Sequence, residues 1–179
     1  MTIGSNDTLL RLGEKLVLFL QGVCALAIGV LALLFFFGVL VNFDLLPGIA
    51  DRSDFDLLEA TPLAYLMLPI LLATAVATLF LVFGKMRAII RSAHEGDPFI
   101  AENAQRLIAM AWLLLAHWVL GALIGVVRVY SANVATGTKN SVDFSIYDLQ
   151  GLLLVLVLFI LARVFRQGAA MREELEGTV

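Results

Sequence analysis

The chain has 179 residues, 61% of them hydrophobic and only 15% charged, with a mean hydropathy of +0.96. A soluble domain is typically about 25% charged, and a chain this size has too little interior to hide so much apolar surface; composition therefore excludes a water-soluble globule and requires a surface that faces lipid. The net charge of −3, with no strongly basic arm, argues against direct nucleic-acid binding, and a lone cysteine, Cys24, excludes an intrachain disulfide.

The first apolar run covers about residues 16–41 and is broken only by Gln21 and several glycines. About 20 residues cross the hydrocarbon, so this run spans it with some tilt. Arg11 and Lys15 ahead of the run, and Ala25-Leu26-Ala27 within it, faintly resemble a signal peptide. The run continues well past Ala27, however, whereas a signal core is only about 7–15 residues long. Cys24 follows Gln21-Gly22-Val23, a poor lipidation context, and is expected to pack as a small core residue. Residues 42–61 form an acidic loop, with Asp44, Asp51, Asp54, Asp56 and Glu59 against Arg52.

The second run, about 63–84, is opened by Pro62 and contains Pro69. The first position suits proline, whose missing N–H would be unpaired anyway; the second predicts a kink. Past the run, Met86, Ile89, Ile90 and Ala93 fall on one helical face while Lys85, Arg87 and Arg91 lie mostly elsewhere. Such a basic amphipathic extension suits a headgroup boundary, as a topology anchor or as a docking surface. Gly96-Asp97-Pro98 then breaks the helix. Asp97 is expected to cap a new helix that starts at Pro98. Phe99 and Ile100 are expected to plug the turn into the membrane or the bundle. Glu102 and Asn103 lie near the new helix's start, where negative charge is favoured, and Glu102 can pair with Arg106 at i+4.

The third run is about 107–127, with His117 near its middle. His117, Gly121 and Gly125 share one face. The two glycines form a G-x-x-x-G pair that allows close helix approach. A histidine at that depth should face the bundle and find a partner; Gln21, Thr74 and Thr78 are the available groups. It either fixes helix packing or serves a proton-linked or ligand-binding role. Metal or haem ligation is disfavoured, because His94 lies outside the span and no second ligand sits at i+4. Arg128 and Asp148 can pair at the far rim, near Lys139 and Asp143. The fourth run, 149–162, is shorter and is expected to borrow flanking residues to span about 146–165, with Arg163 reaching toward headgroups. Beyond it Gly168 is expected to punctuate the helix, with Met171 and Leu175 on one face and Arg172 and Glu176 paired. The tail is expected either to fray or to fold back, bringing Glu173 and Glu174 toward Arg91 or Arg106.

Nine of the 12 Lys and Arg residues fall on the side of the two termini and the 85–106 segment. The positive-inside bias places that side in the cytoplasm. The expected fold is an all-α integral-membrane four-helix bundle. It forms a single domain over 1–179, with both termini inside and short cytoplasmic helical extensions.

Gly96-Asp97-Pro98-Phe99, then Glu102-Asn103, then Arg106-Leu107, resembles the G-x-P-F…E-N…R-L signature of the YoaS-like family of bacterial four-span membrane proteins of unknown function (DUF2975). Val164-Phe165-Arg166-Gln167-Gly168, then Met171-Arg172-Glu173-Glu174-Leu175 and Thr178-Val179, is similar to that family's closing pattern. Ile100 departs from the Thr or Ser the pattern favours as a helix cap. The resemblance implies a bacterial inner-membrane protein, often encoded near small helix-turn-helix DNA-binding proteins. It implies no established activity and no catalytic residues. From the residues themselves, no zinc cluster, nucleophile elbow, phosphate loop or intramembrane carboxylate pair is present, so neither an enzyme nor a cofactor is expected. Three roles stay open: a membrane regulator whose cytoplasmic face holds a soluble partner such as a helix-turn-helix transcription factor, a structural subunit or homo-oligomer, and a small transporter or channel with a path near His117.

Overall fold

Four long helices carry the chain: α1 (Ile3–Asn42), α2 (Pro62–His94), α3 (Ala101–Thr136) and α4 (Ile146–Glu176). The computed structural model describes residues 3–43, 45, 62–96, 98–137 and 146–176, and no strand occurs among them. The helices have 40, 33, 36 and 31 residues. At a rise of about 1.5 Å per residue the shortest is about 46 Å long, against roughly 30 Å of hydrocarbon. All four are long and apolar enough to cross a membrane.

Cross-helix contacts show that successive helices run in opposite directions. Glu14 of α1 meets Arg87 of α2, and Gln21 lies against Gly84. Ser92 of α2 meets Asn103 of α3, and Thr78 meets His117. Phe99, Trp112 and Trp118 meet Phe165, Phe159 and Gly151 along α4. The start of α1, the α2–α3 turn and the end of α4 therefore share one end of the molecule, here called the turn end. Each helix packs on its chain neighbour, whereas α1 and α4 do not close on each other among the described residues. The arrangement is a series rather than a closed ring of four.

The packed interior lies between α2, α3 and α4 toward the turn end: Val82, Leu107, Met110, Ala111, Val155, Leu158 and Ala162 are buried together, with Met86, Ile89, Phe159 and Phe165 against them. Small side chains at Ala111 and Ala162 let the helices approach without voids. Cys24 is buried, as a small packing residue should be. Elsewhere the helices turn large apolar side chains outward, among them Leu26 at 71% and Leu33 at 70% exposure on α1. A surface this apolar over four helices belongs in lipid.

Several local expectations are corrected. The helix after the turn starts at Ala101 rather than Pro98, because Ile100 takes the N-cap position in an extended conformation (φ −98°, ψ 149°) with no side-chain cap. Pro98–Ile100 stay outside the helix, which leaves the Pro98 carbonyl open to a side chain. Asp97 and the cap proposed for it lie outside the described residues, as do the 46–61 loop, the Arg128–Asp148 pair with Lys139 and Asp143, and the Met171–Leu175 and Arg172–Glu176 contacts. α4 runs through Gly168 without a break, so that glycine is not punctuation. Gly121 is exposed and a Cβ there would meet nothing within 4 Å, so it mediates no close approach within this chain. Gly125, one turn on, is half-buried. Where α3 and α4 do approach closely is Gly151, at which a Cβ would lie 2.9 Å from Trp118 Cδ1.

Candidate functional site

The turn between α2 and α3 is built around Asn103. Its side chain is the largest fully buried one among the described residues, at 0% exposure. A buried amide is costly unless its polar atoms are paired, and here they are. Asn103 Nδ2 donates to Ser92 Oγ at 2.6 Å and to the Pro98 carbonyl at 2.8 Å. Arg106 Nη1 donates to Asn103 Oδ1 at 2.6 Å. The partners fix which way the amide points, because a carbonyl can only accept and a guanidinium can only donate. Ser92 closes the network by donating to the Ile89 carbonyl at 2.8 Å. One side chain thus ties the end of α2, the extended turn and the first two turns of α3.

Local sequence makes this geometry possible. Arg91 and His94 sit in the last turn of α2, where positive charge is favoured. Gly96 adopts φ +91°, a conformation that side-chain-bearing residues rarely take. Pro98 has no N–H to leave unpaired in the extended segment. Phe99 then leans on α4: its ring centroid lies 5.1 Å from that of Phe165. It also rests on Gly168, where a Cβ would come within 3.0 Å of Phe99 Cδ1. Phe99 thus touches two residues of the C-terminal motif while remaining 44% exposed.

The outer side of the turn is polar. Arg91 and Glu95 pair at 3.2 Å while largely exposed, a pair worth about 0–1 kcal/mol at most. Glu102 is exposed in the first turn of α3. It does not pair with Arg106 as expected, because Asn103, one residue closer, takes that guanidinium. Glu173 and Glu174 are exposed on α4, which continues straight to Glu176. The fold-back of the tail is therefore overturned: helix continuity carries the carboxylates on along the α4 axis, and contact with the turn is made by Phe165 and Gly168.

His117 lies half-buried between α2 and α3. Its Nδ1 sits 3.0 Å from the Ala75 carbonyl and 3.1 Å from Thr78 Oγ1. A carbonyl can only accept, so the Ala75 contact is a hydrogen bond in the tautomer that holds the proton on Nδ1. Thr78 Oγ1 itself donates to Ala75 O at 2.7 Å. Of the three polar partners expected, Thr78 is the one used, and Gln21 instead lies against Gly84. Interhelical hydrogen bonds in membranes average roughly 0.6 kcal/mol with a maximum near 1.7. A double-mutant cycle of His117→Phe and Thr78→Val is expected to give a coupling of about 0.5–1.5 kcal/mol in reversible unfolding in mixed micelles; zero coupling would show that the contact carries no stability.

Ser92 was not anticipated as a site residue. Its cue was present: it flanks a Gly-Asp-Pro turn opposite Asn103, so a hairpin brings the two side by side. The seats at Gly84, Gly151 and Gly168 had no such cue, since a seat is defined by the partner helix.

Four apolar antiparallel helices, an interior at one end and a polar turn locked from within define a multi-pass α-helical membrane protein. Its particular family is equally plain: the chain belongs to the proteins of unknown function grouped as DUF2975, whose family model matches residues 48–179. That match contains both the turn motif and the C-terminal motif, which the fold joins through Phe99, Phe165 and Gly168. Neither a curated protein nor a solved structure matches the chain.

Proposed function

We propose that the protein is a non-enzymatic membrane regulator of the bacterial inner membrane. Its turn end, with both termini, faces the cytoplasm and holds a soluble partner such as a helix-turn-helix transcription factor. The supporting observation is the division of labour at the turn. Asn103 holds the backbone from inside and Phe99 rests on Phe165 and Gly168 of α4, while Arg91, Glu95 and Glu102 are displayed outside on a frame held by these contacts. Rigid display lowers the ordering cost of binding. The excess of Lys and Arg at this end supports the cytoplasmic assignment.

A second reading, as a structural subunit or homo-oligomer, draws on the open helix series, in which α1 packs extensively on α2 alone and α4 on α3 alone among the described residues. Transport past His117 has less support, since its Nδ1 is committed to α2.

The test is photo-cross-linking in native membranes from probes replacing Arg91 and Glu102, with a control probe at Asp54. Phe99 is unsuitable for a probe because it is seated on Gly168. Capture of a helix-turn-helix protein from the two turn sites and not from the control is the expected result. Capture of membrane subunits or lipid alone would transfer the weight to the structural reading.

A further inference from the structure

Away from the turn lock, a groove of about 410 Å³ runs between α3 and α4 near the turn end. Its lining is Ile108, Phe159, Ala162, Arg163, Arg166 and Gln167. The order along α4 matters. From Phe159 to Gln167 the axis rises about 12 Å, apolar at the inner end and polar at the outer. Arg163, Arg166 and Gln167 are three and four residues apart, so one helix face presents all three. Both arginines are exposed, and neither guanidinium has a hydrogen-bond or ion-pair partner among the described residues, unlike Arg87, Arg91 and Arg106. Two exposed guanidiniums at the edge of an apolar span, with no protein partner among the described residues, are open to an anion, and their planar forks suit phosphate oxygens.

We propose that this groove is a binding site for an anionic glycerophospholipid. Its phosphate lies between Arg163 and Arg166, Gln167 donates to a headgroup or ester oxygen, and an acyl chain runs inward along Phe159, Ala162 and Ile108. A basic pocket between transmembrane helices at the cytoplasmic boundary is suited to anionic headgroups. The apolar half distinguishes a lipid from a free anion, because inorganic phosphate would leave Ile108 and Phe159 uncovered. The site does not depend on the regulator reading.

The test uses the full-length purified protein in a neutral detergent, followed by melting temperature and native mass spectrometry. Dioleoyl phosphatidylglycerol is expected to raise Tm by about 5 °C near saturation and to remain bound as a retained adduct. Dioleoyl phosphatidylcholine and inorganic phosphate are expected to do neither. Arg163→Gln with Arg166→Gln should abolish the shift and the adduct. Arg163→Lys with Arg166→Lys, which keeps the charge but not the fork, should keep part of both. Lys15→Gln with Lys85→Gln removes the same charge elsewhere at this end and should leave both unchanged. If the double glutamine variant does not fold, Arg163→Gln alone, a change at an exposed unpaired side chain, should weaken the shift at least several-fold. A full response in the glutamine variants, an equal loss in the Lys15/Lys85 control, or an equal shift with inorganic phosphate would overturn the proposal.

Discussion

Replacing Asn103 with alanine is expected to lower the unfolding free energy by about 3 kcal/mol. The substitution leaves the Pro98 carbonyl without its side-chain donor, removes the Ser92 contact and frees Arg106. It also opens a small void at a site with 0% exposure. Arg106 is only half-buried, so water recovers part of its loss, and the larger cost falls on the buried groups. Asn103→Asp isolates the chemistry from the packing. It keeps the volume and the Arg106 contact but puts an oxygen where Nδ2 had donated to two acceptors. We expect it to cost about 2 kcal/mol despite the added charge attraction. The measurement is reversible unfolding in mixed micelles followed by the fluorescence of Trp112 and Trp118. An alanine variant within about 0.5 kcal/mol of wild type would show that the amide network does not hold the turn.

The second large effect is expected at Gly168. Substitution by leucine places a branched side chain where even a Cβ would come within 3.0 Å of Phe99. The ring must leave its seat and its contact with Phe165, at a cost of about 2–3 kcal/mol. Alanine at the same position should nearly break even, since its helix propensity, about 1 kcal/mol better than glycine's, offsets a crowding of a few tenths of an ångström. Combining Gly168→Leu with Phe99→Ala should cost clearly less than the sum of the two single changes, because the small residue at 99 makes room. Strict additivity in the same unfolding assay would mean that the two residues are not coupled. Together, the Asn103 and Gly168 series separate the two devices that hold the turn, one polar and one apolar.

These expectations give the two family motifs a physical content. Gly96, Pro98, Phe99, Asn103 and Arg106 shape or lock the turn, and Phe165 and Gly168 receive it from α4. Glu102 belongs to the same motif yet faces outward, which is why it carries a probe in the proposed partner test. Arg166 likewise faces away from the turn and into the α3–α4 groove.

Much of this was legible beforehand. The four apolar runs, their length and the break near Gly96 follow from local composition, because each span must satisfy its backbone within itself. The helices nevertheless extend past the apolar limits at the turn end, since helical hydrogen bonding continues into water wherever no residue stops it. The start of α3 was misplaced for a reason of the opposite kind. Proline after a capping residue is a good local signal for a helix start, but the Pro98 carbonyl is claimed by a side chain five residues away. The Glu102–Arg106 pair failed for a similar reason: i+4 spacing permits it, and Asn103 offers Arg106 a buried acceptor instead. Gly168 read locally as a helix end, whereas it is a seat for an aromatic ring from another segment.

By itself, then, the sequence determined membrane residence, the number of spans and the existence of a special turn. All three rest on interactions within a few residues of each other, or on a simple balance of apolar and charged groups. Tertiary structure alone decided that Asn103 is the buried keystone of the turn, that His117 chooses Thr78 and the Ala75 carbonyl, that α1 and α4 stay apart, and that Arg163 and Arg166 frame a groove with Ile108. Each of those depends on which faces of two helices meet, and in lipid that choice is made by packing and a few polar contacts rather than by hydrophobic burial.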